Sequence, residues 1–582
     1  MTVTSNSDAA PWDGGSRDPF SPQPPAQPPL EPVRLRTGGP LRWLVAILAT
    51  VLVLGVVGVV FVLANPPATA GGVSPLAKFA PADSVLYIEA RLDLPGDQRD
   101  NVIELMSNFP GFADPASFDQ KIGELLDEVF ESSPSGVDWQ TDIEPWFGGQ
   151  LVVFMDSFES GQGTPQSGTV VLSVKDAAAV ERFLDEQMSS ADYEPGEHRE
   201  VTIWTGRLGT ERASLATTAD ALLVSYRIED MHSAIDVQAG EADGLADDER
   251  FSASMAKLAT DRLLALYVDG EAVTESLGSV PMGGVLDEQL AQAPGTIVGQ
   301  LRAAEDHLLL EMRMQPRAGQ SFPDLPQSRT STLASSFPAG VLGYGELRDL
   351  GQGLRTYVTQ VLEFVGASPG MGGGSLPDLE QFLGTPPEDF LDFVGDTAVA
   401  VSADGDGYGG GLVAVVTDED VARQRLDRLV TSLRTMLAFA GPNVPLTIEE
   451  ETHNGVPATV FRLRAEAGMD LPFSSFSYAI ANGRLLAGVD GFVAAALTRG
   501  EGQSLASSAG YSRALAAAGE SNAGLFYLNM GELRRIIETE MSADDRAEAA
   551  EFWPYFERFS QVIGTVTTDG REMVSRFLLF VE

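Results

Sequence analysis

The chain has 582 residues, with 83 acidic against 38 basic side chains and a net charge of −45 at pH 7. A charge of this size and sign repels phosphate backbones, which excludes nucleic-acid binding. The chain contains no cysteine, which excludes disulfides, thiolate metal sites and a cysteine nucleophile.

Residues 1–40 predict a disordered cytoplasmic tail. The stretch from Pro19 to Pro29 is dominated by proline. Proline removes backbone donors, and the tail has too few apolar groups to offset the entropy of ordering. We interpret it as a spacer with polyproline II character, and a ligand for an aromatic-grooved domain is the alternative.

Residues 41–64 predict a transmembrane helix, because the run from Trp43 to Ala64 has no charged or amide side chain. At about 1.5 Å per residue the run reaches about 33 Å, enough to cross a hydrocarbon core of about 30 Å. Arg34, Arg36 and Arg42 lie just before the run, and the first charge after it is Lys78. The positive-inside rule therefore predicts a cytoplasmic N-terminus and an extracytoplasmic segment 65–582.

A cleaved signal peptide is the alternative to this anchor, because Ala68-Thr69-Ala70 resembles a cleavage site. The apolar run is longer than the usual 7–15 residues of a signal peptide. We therefore expect a single-pass protein of the cell membrane that contacts the bilayer through residues 43–64.

An internal repeat follows a linker at residues 65–78. Phe79–Arg91 resembles Phe337–Arg348, and Leu266–Asp269 resembles Phe526–Asn529. Further matches in the same order predict two diverged copies, residues 79–315 and 335–582, joined by a linker at 316–334.

Each copy shows strand pairs interrupted by helices. The predicted helices include two that begin at the acidic residues Asp176 and Asp418, which suit the positive end of a helix dipole. This pattern predicts a mostly antiparallel sheet with helices packed on one side. The expected fold class is α+β, formed twice in tandem after one transmembrane helix.

A short motif, Pro145-Trp146-Phe147-Gly148, precedes one of the predicted strands. With the anchor and the opening Pro81-Ala82-Asp83 strand, it resembles a bacterial family catalogued as domain of unknown function 3352. Phe147 stands where that family usually has Leu, and the second copy keeps only Gly395 of the motif. The resemblance covers most of residues 79–582 and implies a membrane-anchored protein with no assigned activity and no catalytic residues to transfer.

We interpret Pro145, Trp146, Phe147, Gly148 and Gly395 as structural residues. Glycine supplies backbone freedom where a helix ends and a strand begins, and the aromatic rings fill that junction. An exposed aromatic platform for a ligand is the alternative.

The sequence offers few residues for metal binding or catalysis. Asp404 and Asp406 give the Asp-x-Asp-Gly pattern of a calcium loop, but Val415 stands where an EF-hand needs a bidentate Glu. We expect a hairpin tip there and no cofactor. The four histidines, His198, His232, His307 and His453, lack the His-Glu-x-x-His spacing of zinc hydrolases. His198 and His453 occupy matching places before a strand, as solvated turn residues.

These features favour non-catalytic binding or structural interaction at the cell envelope, and they leave catalysis open. One alternative is a carrier of a lipid, peptide or other apolar ligand in a cavity between the two copies. Another is an envelope hydrolase built from acidic residues and histidines that no motif reveals. Possible partners are an envelope protein or an apolar ligand, and no oligomeric state is defined.

Overall fold

The computed structural model of the chain describes residues 72–114, 138–157, 167–189, 193–208, 211–278, 294–322, 326–355, 382–404, 407–440, 444–464, 473–500, 502–550, 552–568 and 571–582, with a few positions between 118 and 127 and at 358, 359 and 380. The predicted tail, the predicted span at 43–64 and linker residues 65–71 lie outside this part. Within it, no helix combines the length and the apolar character needed to cross a bilayer.

In the described part of the chain, twenty strands form one sheet, and all their pairings are antiparallel. The first half, residues 72–322, contributes β1 (Leu86–Arg91), β2 (Phe147–Met155), β3 (Thr169–Val174), β4 (Glu194–His198), β5 (Val201–Leu208), β6 (Glu211–Thr217), β7 (Ala221–Ser225), β8 (Leu264–Asp269), β9 (Thr296–Ala303) and β10 (His307–Gln315).

The second half, residues 326–582, contributes the other ten strands of the sheet. A separate two-stranded ribbon joins β11 (Arg329–Thr330) to β19 (Ser521–Asn522). The sheet strands are β12 (Gly343–Leu347), β13 (Val394–Asp404), β14 (Gly407–Val416), β15 (Leu446–His453), β16 (Val456–Leu463), β17 (Ser475–Ala481), β18 (Arg484–Val489), β20 (Gly524–Asn529), β21 (Phe559–Thr568) and β22 (Met573–Val581).

The strand order is read from the pairings. The first half runs β4-β5-β6-β7-β3-β2-β1-β8-β9-β10. The second half runs β15-β16-β17-β18-β14-β13-β12-β20-β21-β22. β10 pairs with β22, so that β4 and β15 are the two edge strands of one continuous sheet. The predicted α+β class with a large antiparallel sheet is confirmed.

The helices connect strands within each half, and the two predicted acidic helix starts are present. Asp176 Oδ1 accepts a hydrogen bond from the Ala179 amide at 3.0 Å, and Asp418 Oδ1 accepts one from the Val421 amide at 3.0 Å. The helices are α1 (Gln98–Ser107), α2 (Ala177–Ser189), α3 (Ile228–Gln238), α4 (Glu249–Met255), α5 (Gly270–Gly278), α6 (Glu419–Ala440), α7 (Phe492–Thr498), α8 (Ala509–Ala518), α9 (Met530–Glu540), α10 (Ala543–Ala549) and α11 (Trp553–Phe556).

Each half has a core in which one helix aromatic packs edge-on against two strand tyrosines. The ring centroids are 5.2 and 5.0 Å apart in the first half and 5.8 and 5.2 Å apart in the second. Edge-on packing places positive ring edges against negative ring faces, which adds to the hydrophobic stabilisation. The two sets are Phe251 with Tyr87 and Tyr267, and Tyr511 with Tyr344 and Tyr527.

Parts of the two predicted linkers are packed rather than extended. Leu76, in the linker at 65–78, lies in a short 3-10 helix and is buried. Leu333, in the linker at 316–334, lies in another such helix and is also buried. All described residues belong to one compact unit. The two halves therefore share one continuous sheet.

Candidate functional site

The sheet has two faces, and side chains alternate between them along each strand. One face, which we call the core face, carries the buried aromatic sets described above. The other, which we call the open face, remains half-exposed over most of the ten central strands of the sheet, β2-β1-β8-β9-β10-β22-β21-β20-β12-β13. Burial in β1, for example, alternates regularly between half-buried Leu86, Ile88 and Ala90 and their buried neighbours.

The open face is apolar although it is only partly covered. Antiparallel sheets with one solvated face usually place polar side chains there. Here the ten described central strands place no charged side chain on it. From the first half it comprises Leu151, Val153, Leu86, Ile88, Ala90, Leu264, Leu266, Val268, Ile297, Gly299, Leu301, Leu308, Leu310, Met312 and Met314. From the second it comprises Met573, Ser575, Phe577, Leu579, Val562, Gly564, Val566, Gly524, Phe526, Leu528, Gly343, Gly345, Leu347, Thr397, Val399 and Val401.

The most exposed part of the open face lies in the second half. Leu347 is 59% exposed, Val399 50% and Phe526 44%. The Phe526 ring lies over Gly564, where an added Cβ would come within 2.1 Å of it. Its centroid is 5.5 Å from that of Phe577. These residues form an apolar surface that extends to β22 at the seam between the halves, where β22 pairs with β10, and such surfaces commonly mark binding sites.

The core face, in contrast, carries buried charges. Glu89 is fully buried and accepts hydrogen bonds from the Ser74 amide at 2.8 Å, from the Tyr87 hydroxyl at 3.1 Å and from Arg262 Nη2 at 3.2 Å. Burial raises the pKa of Tyr87 well above its usual value, and the neighbouring Glu89 adds to the shift. The hydroxyl therefore stays protonated and donates to Glu89, so the Glu89 carboxylate has its donors within a buried structural network, in which Arg262 Nε alone lacks a partner among the described residues.

The second half repeats this arrangement with different partners. Glu346 is buried and accepts hydrogen bonds from the Tyr344 hydroxyl and from Arg348 Nη1, the latter at 2.7 Å. Arg348 also donates to the Asn522 side chain at 2.9 Å. Burial raises the pKa of Tyr344, and the nearby Glu346 adds to the shift. Both halves thus bury a Tyr-x-Glu-x-Arg strand.

A second candidate surface is a polar groove of about 620 Å³ in the first half. Its floor consists of β4, β5 and β6, and its wall is the start of α3. We call it the α3 groove. It is lined by Glu194, Pro195, Gly196, Glu197, Ile203, Thr205, Arg212, Ser214, Tyr226, Arg227, Ile228, Glu229 and His232.

Hydroxyl groups run in register across the floor of the α3 groove. Thr205 pairs with Ser214, and their hydroxyl oxygens are 3.1 Å apart. Ser225 pairs with Thr169 on the next two strands, and these hydroxyl oxygens are 2.7 Å apart. Ser214 lies opposite Ser225, so that four hydroxyls form one row from the groove into the core.

Histidines form one end of the α3 groove. The imidazoles of His198 and His232 stack with centroids 4.2 Å apart, and His198 Nε2 lies 2.7 Å from Asp236 Oδ1. Burial lowers the pKa of His232 below its usual 6.5, and the charge of His198 lowers it further. The hydrogen bond from Arg199 lowers the pKa of Asp236, and that from His198 adds to the effect. At neutral pH the groove therefore ends in a neutral imidazole beside a charged carboxylate.

The turn that joins β4 to β5 is strained. Arg199 and Glu200 both have positive φ, 48° and 65°. At the corresponding turn between β15 and β16 these positions are Asn454 and Gly455, the residues that such a two-residue turn favours. Arg199 compensates by donating to Asp236 on α3. The first half thus holds an unfavourable turn against the helix that lines the groove.

The predicted structural motif lies at the start of β2. Trp146 and Phe147 are buried, and Trp146 Nε1 donates to the Asp142 carbonyl at 2.6 Å. A Cβ at Gly148 would come within 2.8 Å of the Ser173 hydroxyl, so this close approach requires glycine. Gly395 stands at a bulge in β13, as the Gly148 segment does in β2. Pro145 lies in the turn before it.

The other predicted site residues are dispersed. Asp404 ends β13, and its side chain and Asp406 lie outside the described residues. His307 contacts Asp306, and His453 contacts Glu451 at 3.1 Å. In the described part of the chain, no three side chains of metal-ligating type converge.

Sequence reasoning missed both surfaces. The i, i+4 spacing of His232 and Asp236 in a helix is a signal that could have placed them together. The run Leu308–Met314 is apolar at every open-face position and carries Glu311 and Arg313 on the other face, an alternation that indicates a strand with one apolar face.

The fold and its two surfaces define an α+β protein with one antiparallel sheet, an apolar open face and a polar groove. The chain belongs to the family described as protein of unknown function DUF3352, whose family model matches residues 44–569. The resemblance stated from the sequence is thereby confirmed. No curated protein matches the chain.

Among solved structures the chain is similar to the protein TP0453. In crystal form I the identity is 11% over 43% of this chain and 81% of that chain, with a TM-score of 0.25. In crystal form III the identity is 14% over 44% of this chain and 90% of that chain, with a TM-score of 0.25.

Proposed function

We propose that this protein is anchored in the cell membrane by residues 43–64 and binds the acyl chain of a lipid on its extracytoplasmic open face. The observation that carries the proposal is the uncharged, half-exposed open face across ten strands. Acyl chains gain about 25 cal/mol for each Å² of apolar surface that leaves water. The net charge of −45 disfavours docking of the whole domain on anionic headgroups, which favours capture of single chains.

The position of the open face suits a carrier shared by two copies of one module. β10 and β22 are the innermost strands, and both turn apolar side chains to this face. Leu310 lies opposite Phe577 in the antiparallel register, so the surface crosses the seam without interruption. The carrier hypothesis from the sequence expects a cavity between the two copies, whereas the present proposal puts the ligand on an open sheet surface that spans both of them.

A gene duplication accounts for the shared strand order of the two halves. The backbone contacts that flank the aromatic sets support it: the Asp269 amide donates to the Val85 carbonyl at 3.0 Å, and the Asn529 amide donates to the Leu342 carbonyl at 2.8 Å. The isolated bridges Pro81–Gly244 and Pro338–Ser504 also occupy like places. By this structural correspondence Tyr87 matches Tyr344. The match shifts the sequence alignment, which paired Val85 with Val341, by one residue.

The membrane anchor is supported by the apolar run and by the family match. The family model begins at residue 44, so nearly the whole run falls inside the matched region. An anchor would keep the open face within reach of the lipid surface that supplies its ligand.

We favour binding over hydrolysis because the groove lacks an activated nucleophile among the described residues. Thr205 and Ser214 hydrogen-bond to each other, and His198 bonds to Asp236. Nucleophilic catalysis needs the hydroxyl within hydrogen-bond reach of its base.

The experiment is photocrosslinking of the full chain in phospholipid nanodiscs with a long-chain fatty acid that carries a diazirine. We expect adducts on peptides of β12, β13, β20 and β22. The variant Leu347→Asp/Val399→Asp should lower these adducts about tenfold, because a carboxylate on the face opposes an apolar ligand. Adducts on residues 43–64 should stay unchanged and serve as a control within the same molecule.

The matched control is Phe439→Asp, since Phe439 is an apolar residue of α6 that is 88% exposed and lies outside the ten strands that form the open face. Its adduct pattern should equal that of the parent chain. Labelling confined to residues 43–64, or labelling of the sheet that survives the double substitution, would exclude lipid binding on the open face.

A further inference from the structure

We propose that the α3 groove is a saccharide-binding site. This inference does not depend on the lipid proposal, because the groove belongs to the first half alone and its lining is polar. Its volume of about 620 Å³ falls within the range of small-molecule sites.

The lining offers hydrogen-bonding groups of every type. Glu194, Glu197 and Glu229 are acceptors, Arg212 is a donor, and the Thr205 hydroxyl can do both. A sugar presents neighbouring hydroxyls, each of which donates and accepts at once. Such a ligand can satisfy carboxylates and a guanidinium side by side, whereas an ion of either sign satisfies only one of them.

Three of these groups lack a partner within the described part of the chain. Among the described residues, Glu194, Glu197 and Arg212 form no ion pair and no side-chain hydrogen bond, and each is exposed. The strands β4 and β6 that carry them are separated by β5, which keeps the guanidinium and the carboxylates apart across the floor. They are therefore available to a ligand that spans the groove.

An aromatic ring stands at the rim of the groove. Tyr226 is 51% exposed, directly before Arg227 at the start of α3. An exposed ring face can cover the apolar C–H face of a pyranose while the hydroxyl end stays in water. Tyr226 thus provides the flat apolar surface, and the strands provide the polar groups.

The edge strand disfavours a peptide as the occupant. A peptide that extends a sheet needs backbone donors and acceptors on the edge strand. Pro195 removes one donor of β4, and Glu194 and Glu197 flank it with charge. Proline and charge on an edge strand oppose pairing with another strand.

The same place in the second half is closed. The row that holds hydroxyls in the first half reads Val460, Ser477, Gly488 and Gly411 in the second. The Phe492 ring fills it, since an added Cβ would come within 2.2 Å of that ring at Gly411 and 2.6 Å at Gly488. The first half therefore has an open row of hydroxyl groups, and in the second half the Phe492 side chain occupies the corresponding place.

The contacts at the end of the groove that contains the two histidines fix the position of β4 relative to α3. Asp236 on α3 binds His198 and Arg199, the last residue of β4 and the first of the strained turn. Backbone strain that the surroundings maintain is concentrated at functional sites. These contacts position β4 against α3, so His198, Arg199 and Asp236 are positioning residues.

The test uses the full chain in phospholipid nanodiscs, free of glycoside detergents, which would compete as ligands. The probes are the soluble oligosaccharides maltotetraose, cellotetraose, mannotetraose and chitotetraose, measured by saturation-transfer NMR and calorimetry. We expect at least one probe to bind. Tyr226→Ala should weaken that binding about tenfold, because it removes the stacking surface.

A second variant, Gly196→Phe, fills the groove as Phe492 fills the second half. A Cβ at Gly196 meets only the Ile203 carbonyl, at 3.7 Å, so the strand accepts a side chain there. Binding should be lost while the melting temperature is kept. The matched controls are Gly353→Phe, where an added Cβ meets nothing within 4 Å, and Tyr555→Ala, whose ring is 40% exposed elsewhere.

Both controls should bind the probe like the parent chain. If none of the four probes binds, or if a bound probe is retained in folded Gly196→Phe, the groove is not a saccharide site.

Discussion

His198 and His232 lie face to face, with ring planes 16° apart and centroids 4.2 Å apart, although they come from an edge strand and a helix. Only His198 contacts Asp236, so the pair is unequal. Burial lowers the pKa of His232, and the charge of His198 adds to the effect.

We therefore expect His198→Gln to raise the pKa of His232. The chain has four histidines, so selectively labelled histidine gives an NMR titration with few signals. His232 is assigned by its loss in His232→Gln. A pKa that stays constant or falls in His198→Gln would contradict the stacked geometry.

The same shift predicts how stability depends on pH. The folded pKa of His232 is below 6.5, so the unfolded chain binds this proton first as the pH falls. The contribution of His232 to the free energy of unfolding is fully present above about pH 6.5. It is lost as the pH falls from there through the folded pKa of His232. His232→Gln should reduce the fall in melting temperature over that interval. If the melting temperature falls equally with pH in the parent chain and in His232→Gln, groups other than His232 determine the pH dependence.

The strained turn predicts a stabilising substitution. Positive φ costs about 1–2 kcal/mol for each ordinary residue, and Asn-Gly avoids most of this. The half-exposed Arg199–Asp236 pair offsets about 0–1 kcal/mol of that gain. Arg199→Asn/Glu200→Gly should therefore raise the melting temperature by about 1–2 °C.

The reverse change in the second half, Asn454→Arg/Gly455→Glu, is the control. It should lower the melting temperature, since it places two ordinary residues at positive φ and removes the hydrogen bond that Asn454 donates to the Leu497 carbonyl. A fall in the first variant would mean that the contacts of Asp236 outweigh the strain.

The buried Glu89 predicts a large effect of a single substitution. Arg262→Met removes its cationic partner and leaves a charge enclosed by protein. Breaking a buried pair on one side costs about 3–5 kcal/mol. Denaturant unfolding should show this loss, and the double variant Arg262→Met/Glu89→Gln should recover part of it. Equal stability of single and double variants would contradict the pairing.

Membrane topology is testable because the chain lacks cysteine. Glu520→Cys places a single thiol at an exposed position of the second half. A membrane-impermeant maleimide added to intact cells should label this thiol. The control Ser7→Cys should react only after lysis, since the tail is expected in the cytoplasm. The opposite pattern would invert the predicted orientation.

Much of the strand content could be predicted from local sequence. Thr169–Val174 and Arg484–Val489 are strands whose mostly apolar sequences indicate a strand without any knowledge of the fold. The two edge strands could not be predicted in this way, because they are exposed to solvent and have polar sequences. β4 is Glu-Pro-Gly-Glu-His, and β15 contains the acidic run Glu449–Glu451, which is typical of a loop although it forms a strand. Local pattern does not encode exposure at an edge.

The candidate sites were less predictable than the strands. The α3 groove depends on strand order, which brings Glu194, Thr205 and Ser214 into one row from separate segments. The open face depends on the pairing of β10 with β22, which joins residues more than two hundred positions apart. Neither relationship leaves a short motif in the sequence.

The pairing of β10 with β22 also sets the order in which the protein can be completed during synthesis. β10 leaves the ribosome with one edge bare, and its partner is the last strand of the sheet to be made. At about 5–20 residues per second the wait is on the order of tens of seconds. Throughout that time an unpaired edge lies beside Leu308, Leu310 and Met312, a combination prone to aggregation. The nascent chain therefore needs protection at its middle, and a chaperone that shields residues 307–315 should raise the yield of folded protein.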